Sequence, residues 1–363
     1  MEINSINYAK AVCDTIMDTY PPHALPPADF FFYHQGVFLL GMQQLYKKTG
    51  EEKYFNYIKE WVDHFLSKDG SIKGLRPESP DDCNPGILFF DIYAKLGEKK
   101  YLNGIENIIN CVNSWKKTSE GCYWHRSKET PTTSFHDQIW LDGFYMSSPI
   151  ITKYANLTGK SEYFDIINTQ MEVMWKHTYD EKTGLLYHAW DESREAFWAD
   201  KETGCSTEIW GRALGWYAAA LAMITQEMPE SCIYKKAFSQ RLKTLLLNIL
   251  KYQDNESGMW FQLVNRTDDE NNWIELSCSA LFTLALKKAI NEGILDDSYN
   301  EAVQKAYDGI IKNCVTLKDN GHIILSRICE GTMAEYYDYY INRKQCENDL
   351  HGLGAFLLMC CEF

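Results

Sequence analysis

The sequence predicts an all-α protein in which twelve helices form six hairpins that close into an (α/α) toroid. Three observations predict this fold: apolar residues recur with a helical period, the links between helices alternate in length, and a short motif repeats along the chain. The apolar face of one helix, for example, consists of Tyr54, Ile58, Trp61, Val62 and Phe65. The predicted helices span residues 3–20, 32–49, 53–68, 84–96, 100–115, 138–157, 161–177, 207–228, 233–252, 274–292, 297–314 and 350–361.

The links between these helices alternate between tight turns and long loops. Even-numbered helices are followed by tight turns, in which a glycine suits a left-handed helix C-cap, at Gly50, Gly97 and Gly159. These turns belong to the repeated motif, which occurs at residues 49–55, 96–102 and 158–164. The alternation places every long loop at one end of the toroid, the mouth, where the inner helices begin. No low-complexity linker interrupts the pattern, so we expect one domain over residues 1–363.

The charge and composition of the chain exclude several classes of protein. With 50 acidic and 36 basic residues, the net charge is −14 at pH 7, which argues against a nucleic-acid or membrane-surface partner. The first residues show no basic segment followed by an apolar run, so we expect no signal peptide. Twelve cysteines without a Cys-x-x-Cys pair indicate reduced thiols. We therefore expect a soluble cytoplasmic protein, either a monomer or a small homo-oligomer.

Polar residues concentrate where the long loops run into the inner helices. Tyr33 and His34 open the helix predicted at 32–49, and Asp81 and Asp82 precede the one predicted at 84–96. Aspartate is a good helix N-cap, and capping accounts for one of these two carboxylates. Neighbouring carboxylates can also raise the pKa of one of them, as acid catalysis requires. The pair is therefore a candidate for proton transfer.

A third aspartate, Asp142, lies in the first turn of the helix predicted at 138–157. Its neighbours in sequence are apolar or aromatic, namely Trp140, Leu141, Phe144 and Tyr145. Burial among such residues would raise the pKa of the carboxyl and keep a proton available near neutral pH. The alternative is a buried aspartate that hydrogen-bonds a neighbouring backbone group, and the sequence leaves both interpretations open.

The remaining clusters at the mouth combine rings and one cation. They contain Trp124, His125, Gln138, His188, Trp210, Arg212 and Trp216. Arg212 among tryptophans could bind a carboxylate with both arms of its guanidinium. Its alternatives are a structural cation–π contact or an ion pair with Glu208, four residues earlier. The chain has no His-x-x-x-His, paired-cysteine, Gly-x-Gly-x-x-Gly, phosphate-loop or Gly-x-Ser-x-Gly motif, so zinc, dinucleotide, phosphate-loop and serine-hydrolase chemistry have little support.

Taken in order, these clusters resemble glycoside hydrolase family 105, the unsaturated rhamnogalacturonyl hydrolases, and more distantly the unsaturated glucuronyl hydrolases of family 88. The resemblance runs from about Tyr33 to Gly352–Phe356 and is most specific in Gln138–Gly143 and Trp210–Trp216. It implies an (α/α) toroid enzyme that hydrates the C4–C5 double bond of a terminal 4,5-unsaturated uronic acid. The substrate would be an anionic oligosaccharide released by a polysaccharide lyase, of the rhamnogalacturonan type, and neither a metal nor an organic cofactor would be needed.

The resemblance also implies roles for individual residues. Asp142 matches the general acid/base that protonates C4 and activates the water that adds at C5. Asp81, chosen over Asp82 by its spacing to Gly86, matches a second essential aspartate. The matched substrate-binding residues are His125, His188, Trp210, Arg212 and Trp216, and we add as binding candidates Tyr33, His34, Asp82, Trp124 and Gln138. The stretch from Arg126 to His136 is longer than the family pattern and is expected to affect the sugar beyond the cleaved bond.

Two other kinds of function fit part of the pattern. A toroid enzyme such as a two-carboxylate glycosidase or a sugar epimerase could also use Asp81 and Asp142, provided that a glycosidase holds them on either side of the anomeric carbon. A non-catalytic toroid that binds glycan or peptide would explain the aromatic residues and the repeats. It would not explain two carboxyls beside Arg212 and two histidines at the mouth.

Overall fold

The structure, a computed structural model, describes residues 4–126 and 135–363. Twelve long helices and two short ones, α4 and α13, account for most of these residues. In chain order they are α1 (Ser5–Thr19), α2 (Tyr33–Thr49), α3 (Glu52–Phe65), α4 (Pro80–Cys83), α5 (Leu88–Leu96), α6 (Lys99–Ser114), α7 (Leu141–Thr158), α8 (Glu162–Thr178), α9 (Gly211–Glu227), α10 (Lys235–Leu250), α11 (Leu276–Asn291), α12 (Asn300–Cys314), α13 (Tyr337–Ile341) and α14 (Leu350–Cys360). The prediction of twelve principal helices is confirmed.

The inner helices form a closed ring, which confirms the predicted toroid. In order around the ring, α2, α5 with the 3₁₀ turn before it (Asn84–Ile87), α7, α9, α11 and α14 each contact the next, and α14 returns to α2. The outer helices α1, α3, α6, α8, α10 and α12 pack on this ring. Residues 211–222 of α9 and 276–286 of α11 are all buried, as expected for helices surrounded by others, whereas α3 buries one face.

The ring closes where α14 and α2 approach each other through glycines. A Cβ atom on Gly354 would lie 2.5 Å from the carbonyl carbon of Val37 and 2.6 Å from the amide nitrogen of Phe38. A Cβ atom on Gly41 would lie 2.6 Å from the Cβ of Leu357. Both distances are far below van der Waals contact, so only glycine allows this separation of the two helix axes.

The tight turns are formed as predicted. Gly50, Gly97 and Gly159 adopt φ values of 70°, 69° and 70°, and each ends a helix in the left-handed conformation. Each glycine N–H donates to a carbonyl four residues earlier at 2.8 Å. Such C-caps satisfy carbonyls that the helix itself leaves unpaired.

Short strands lie outside the helices. β1 (Gln138–Trp140) pairs antiparallel with β4 (Ala189–Asp191), and this pairing joins the loop before α7 to the loop before α9. The other pairs are β2 (Tyr179–Asp180) with β3 (Leu185–Leu186), β5 (Val315–Leu317) with β6 (Ile323–Leu325), and β7 (Ile328–Cys329) with β8 (Gln345–Cys346). Among the described residues, no helix combines the length and apolar character needed to cross a bilayer.

Three helix starts differ from the prediction. The helix predicted at 84–96 is preceded by α4, so Asp81 and Asp82 lie in a helical turn rather than before one. The helix predicted at 138–157 begins at Leu141, because residues 138–140 pair with β4 instead. The helix predicted at 207–228 begins at Gly211, whose N–H donates to the carbonyl of Gln262. In the last two cases, hydrogen bonds to distant residues replace the predicted first turn.

We predict that Gly354→Ala weakens the closure of the ring. The added methyl group meets the backbone of α2, which cannot rotate away, so the free energy of unfolding should fall by about 2–3 kcal/mol despite the better helix propensity of alanine. The matched control is Gly331→Ala, where a Cβ atom would meet nothing within 4 Å. Chemical denaturation of both variants measures the difference. Equal stabilities would show that the close α2–α14 contact does not determine the stability of the ring.

Candidate active site

The mouth of the toroid collects most of the predicted polar residues. The first turns of the inner helices and of α4 contribute Tyr33 (α2), Asp81 (α4), Asp142 (α7), Arg212 (α9) and His351 (α14). The long loops add His125 and His188. Because the helix N-termini carry positive partial charge, this end of the ring favours an anion even in an acidic protein.

Asp142 is held by a chain of hydrogen bonds that the sequence did not reveal. Its Oδ2 lies 3.1 Å from Nε2 of His188, and Nδ1 of the fully buried His188 lies 2.7 Å from the hydroxyl of Tyr340. The Tyr340 oxygen accepts the backbone N–H of Glu335 at 3.2 Å. Its own proton is therefore available for Nδ1, which leaves His188 to donate from Nε2 to the Asp142 carboxylate.

Of the two interpretations that the sequence leaves open for Asp142, the one with a raised pKa is wrong. Burial does act to raise this pKa, but the hydrogen bond from His188, together with the positive charge of Arg212, outweighs the effect of burial. The pKa of Asp142 therefore lies below its usual value. Asp142 is ionised in the free protein at neutral pH and is ready to accept a proton.

Asp81 shows the opposite behaviour. Burial raises its pKa to about 7, and the negative charges of Asp142 and Asp82 act in the same direction. Arg126, whose Nη2 lies 3.8 Å from Asp81 Oδ2, lowers the pKa and has a larger effect than either aspartate, but it does not outweigh burial. The two carboxyls thus have pKa values pushed apart, and near neutral pH the pair retains a proton, mainly on Asp81.

Asp82 is turned away from this pair and bound to Arg76. The Arg76 guanidinium contacts both carboxylate oxygens through Nε and Nη2, with 2.6 Å between Nη2 and Oδ1. The backbone N–H of Arg76 also donates to Oδ2 at 3.2 Å. One of the two aspartates is thus structural, as the sequence indicated, but its role is an ion pair with the preceding loop and not a helix cap.

The buried ring of His125 lies close enough to Asp142 for the charge of that carboxylate to affect its pKa. Its ring stacks on Trp140 at 4.2 Å between centroids and 5° between planes. Burial lowers the pKa of His125 to about 3, so the ring is neutral near pH 7. Its Nδ1 is buried and has no hydrogen-bond partner among the described residues. An unpaired buried nitrogen at this position can bind a hydroxyl group of a ligand.

Arg212 is almost fully buried, and its guanidinium lies 4.5 Å from the centre of the Trp210 ring. It donates to the carbonyls of Cys329 and of Glu330, the latter at 2.8 Å, and its Nη1 lies 2.8 Å from Nε2 of His351. The cation–π alternative is confirmed. The alternative of a pair with Glu208 is wrong, because Glu208 binds Arg266 at 2.6 and 2.8 Å.

Among the described residues, no carboxylate lies within ion-pair distance of Arg212. A buried cation without a carboxylate partner is costly unless a ligand supplies the negative charge. The Nε–H and one Nη2–H remain for such a ligand after the three protein contacts have been made. Arg212 therefore keeps the two donors that a carboxylate requires.

Beside Arg212, three side chains approach the geometry of a metal site. His34, Asp349 and His351 each place one potential ligand atom within 4.8 Å of the others. However, Nε2 of His351 accepts from Arg212, and its Nδ1 lies 2.7 Å from Asp349 in an ion-pair contact. The charge of Arg212 would also repel a cation. We interpret this chain of contacts as the support that orients Arg212.

The other predicted binding residues take different places. Gln138 accepts the indole N–H of Trp140 at 3.2 Å, Trp124 lies 4.6 Å from the ring of His136, and Trp216 packs on Tyr145 inside the ring. Residues 127–134 of the long stretch predicted to influence specificity lie outside the described residues. Sequence reasoning missed Arg126, Asp349 and Tyr340, and the only signal for Tyr340 was the aromatic run at 336–340.

Comparisons with known proteins show the family to which the chain belongs. Residues 8–363 match the family model described as Glycosyl Hydrolase Family 88. A solved structure of a family 105 glycoside hydrolase from C. acetobutylicum ATCC 824 superposes with a TM-score of 0.92 at 32% identity, covering 98% of this chain and 99% of the other. The unsaturated rhamnogalacturonyl hydrolase YesR of Bacillus subtilis (strain 168) is 27% identical over 302 residues, which are 82% of this chain and 78% of YesR. An unsaturated 3S-rhamnoglycuronyl hydrolase of Formosa agariphila is 25% identical over 308 residues, which are 81% of this chain and 75% of that protein.

We predict opposite effects on stability for the two neighbouring aspartates. Because the pKa of Asp81 is raised from 3.8 to about 7, the folded state keeps a proton that the unfolded chain releases, and stability falls as pH rises through this window. The free energy of unfolding of Asp81→Asn should therefore exceed that of wild type at pH 8 by at least about 1 kcal/mol, and this difference should be smaller at pH 5.

Asp82→Asn is the matched control. Its free energy of unfolding should be about 1–3 kcal/mol lower than that of wild type at both pH values, because the Arg76 guanidinium loses its charged partner. Denaturation curves at the two pH values give all four differences. A stabilising Asp82→Asn, or a destabilising Asp81→Asn at pH 8, would show that the two aspartates have exchanged roles.

Proposed function

Because the chain belongs to glycosyl hydrolase family 88, we propose that it hydrates the C4–C5 double bond of a terminal 4,5-unsaturated uronic acid and so releases that sugar from an oligosaccharide. The observation that carries the proposal is the pair of buried carboxyls at the mouth, whose pKa values are shifted in opposite directions, beside the almost fully buried Arg212, which has no carboxylate partner among the described residues. We propose fragments of the rhamnogalacturonan type as substrates, in line with the name of the Bacillus relative.

The proposed reaction uses the proton that the Asp81–Asp142 pair holds. The pair gives this proton to C4, and a water molecule adds its oxygen to C5 while its released proton returns to the pair. Asp142 supports the second step because it is ionised and lies at the mouth. The product carries a hydroxyl at C5 beside the ring oxygen, a hemiketal that opens and lets the linked sugar leave. One water is consumed and the pair recovers its proton.

The surrounding residues serve binding in this proposal. Arg212 holds the uronate carboxylate, and the neutral Nδ1 of His125 contacts a sugar hydroxyl. Tyr33 is influenced by burial and by charges of both signs. Burial raises the pKa of its hydroxyl, the positive charge of Arg212 lowers it, and the negative charge of Asp81 raises it. Its phenol can donate to the substrate in this mixed field. His188 orients Asp142 from behind.

The organisation of the protein is part of the same proposal. We propose that residues 1–363 act as a single toroid catalytic domain, supported by the contact of α14 with α2 that closes the ring. We also propose a cytoplasmic location, supported by twelve unpaired cysteines. An intact-mass measurement of the protein from its native cells under non-reducing conditions tests the second point, since disulfides among these cysteines would contradict a reducing compartment.

The proposed function is tested by the ultraviolet absorbance of the conjugated double bond. Lyase digests of pectin, glycosaminoglycan and ulvan provide terminal unsaturated uronates on different sugars. Hydration of the double bond removes the absorbance, whereas a glycosidase or an epimerase that works at another carbon leaves it in place. Loss of absorbance on pectin-derived fragments is the expected result, and release of sugar with the absorbance intact would overturn the proposal.

We predict that Asp142→Asn nearly abolishes this turnover while the fold persists. The amide has almost the same shape but cannot accept and return a proton, so kcat should fall by about 10²–10⁴-fold. Asp81→Asn should be similarly impaired and Asp82→Asn milder. Thermal unfolding confirms that each variant folds, and near-wild-type activity of folded Asp142→Asn would remove that residue from the mechanism.

We predict that Tyr340→Phe acts through His188. Loss of the hydroxyl leaves Nδ1 unpaired, so the imidazole no longer favours donation to Asp142, and kcat should fall about tenfold for one lost hydrogen bond. The pKa of Asp142 should rise, which moves the acid limb of the pH–rate profile upward. The control is Tyr339→Phe in the same short helix. An unchanged pH–rate profile for Tyr340→Phe would show that the Tyr340 hydroxyl does not act on Asp142 through His188.

We predict that Arg212→Ala lowers kcat/KM on the acid substrate. The loss of transition-state stabilisation should be about 2–4 kcal/mol, the scale for removing one partner of a desolvated charge pair. Arg212→Lys should also lose much of the binding because it lacks the planar fork. A carboxamide analogue of the substrate should suffer far less from either change, since it carries no anion.

Arg266→Ala is the matched control, because Arg266 is already paired with Glu208 and should affect both substrates alike. The comparison forms a double-mutant cycle between the residue and the charge of the substrate. Equal losses of Arg212→Ala on acid and amide would mean that Arg212 only supports the loop at Cys329 and Glu330.

A further inference from the structure

Cys329 lies directly behind Arg212 and is held from three sides. Its carbonyl accepts from the Arg212 guanidinium, its thiol donates to Oε1 of Gln262 at 2.9 Å, and its N–H donates to Oε1 of Glu275 at 2.9 Å. Gln262 and Glu275 are buried, with 0% and 1% of their surfaces exposed. The position of the guanidinium therefore depends on two buried residues behind the mouth.

Glu275 is the N-cap of α11, but capping alone does not account for a glutamate at this position. Its Oε2 accepts the N–H of Cys278 at 2.6 Å. Its Oε1 accepts the hydroxyl of Ser277 at 2.6 Å in addition to the N–H of Cys329. The favoured N-cap residues, serine, threonine, aspartate and asparagine, have shorter side chains. The longer side chain of glutamate reaches the start of α11 and strand β7 at the same time.

A backbone contact also joins the start of α11 to β7. The N–H of Leu276 donates to the carbonyl of Arg327 at 2.9 Å. Arg327 has a φ of 59°, a left-handed conformation that residues other than glycine seldom adopt. Such a conformation persists only where the surrounding contacts hold it. The backbone that binds Arg212 is therefore fixed by α11 and is not a free loop.

The charges of Glu275 and Arg212 are complementary although the two side chains do not meet. In the described part of the chain, neither of them forms an ion pair, and Cys329 hydrogen-bonds with both. Burial acts to lower the pKa of Arg212, but the negative charge of Glu275 is among the effects that raise it, and the pKa lies above its usual value. Glu275 thus stabilises a buried cation without occupying the donors that a carboxylate ligand needs.

We propose that Glu275 is a positioning residue for the binding of the uronate carboxylate. The inference rests on the proposed role of Arg212 in holding that carboxylate. Glu275 fixes Cys329 through its N–H, and the carbonyl of Cys329 fixes the guanidinium, so the two remaining donors of Arg212 keep one orientation. Binding groups must be held to within about 0.5 Å to be effective, and a supporting layer of residues provides this precision.

Binding to a variant with little turnover tests the inference. In the Asp142→Asn background, calorimetry gives the dissociation constants of the methyl glycoside of the unsaturated uronate and of its carboxamide analogue, and the absorbance confirms that both ligands remain intact. Glu275→Gln keeps the length of the side chain but removes its charge. It should lower the preference for the acid over the amide about tenfold, the scale of one hydrogen bond to a charged group.

Glu275→Asp separates the reach of the side chain from its charge. Aspartate is a favoured N-cap, so α11 should begin normally, but a side chain shorter by one methylene cannot hold Cys278 and Cys329 together. The acid preference should fall as in Glu275→Gln, and this variant supplies the test if Glu275→Gln does not fold. The matched control is Glu208→Gln, a buried acid paired with Arg266, which should leave the preference unchanged.

A double variant shows whether Glu275 acts through Arg212. When the guanidinium is absent in Arg212→Ala, adding Glu275→Gln or Glu275→Asp should cause no further loss of acid preference. A further loss of the same size would mean that Glu275 acts on the ligand independently. Equal weakening of acid and amide binding would make Glu275 structural only. Either result, or an unchanged preference in folded Glu275→Asp, would overturn the positioning role.

These outcomes are distinct from those that test the proposed function. If wild type removes the absorbance of the double bond while the Glu275 variants keep the acid preference, the positioning role is wrong and the hydration stands. If the preference follows Glu275 while wild type leaves the double bond intact, the hydration is overturned and the carboxylate site stands. If the Asp142→Asn parent shows no preference for the acid, the role of Arg212 and this inference are both overturned.

Discussion

The close approach of Gly354 to the backbone of α2 closes the ring, and the active site depends on that closure. Asp142 stands on α7, Arg212 on α9, and the histidine that contacts Arg212 on α14, so their separations are fixed only when the inner helices form a complete circle. The same closure brings the N-termini of the inner helices to one end. A methyl group at position 354 would therefore disturb the site as well as the core.

Within that ring, electrostatics determines how a protein of net charge −14 can hold an anion. The helix N-termini supply partial positive charge, and Arg212 supplies a full charge without a carboxylate partner in the described part of the chain. Asp81 reduces the opposing charge by remaining protonated up to about neutral pH. Asp142 stays ionised because His188 donates to it. The two carboxyls thus divide the tasks of holding and accepting a proton.

Local sequence patterns predicted the fold well because helical periodicity and glycine C-caps are properties of a few neighbouring residues. They also located the mouth and most of its side chains. What they could not predict depends on contacts between distant residues. His188, which reverses the expected pKa shift of Asp142, is 46 residues away, and Tyr340 is 152 residues from His188. Similarly, Arg266 replaces the expected local partner of Glu208, and the pairing of β1 with β4 delays the start of α7.

Addition of water across C4 and C5 can be followed by running the reaction in heavy water. A lyase-derived unsaturated disaccharide is converted in D₂O, and the released uronate is analysed at once by NMR and mass spectrometry. If the protein hydrates the double bond, the product carries one deuterium at C4, delivered to one face of the ring, and no double bond remains. Release of a uronate that keeps its double bond and carries no deuterium at C4 would contradict it, because bond cleavage would then have occurred at the anomeric carbon.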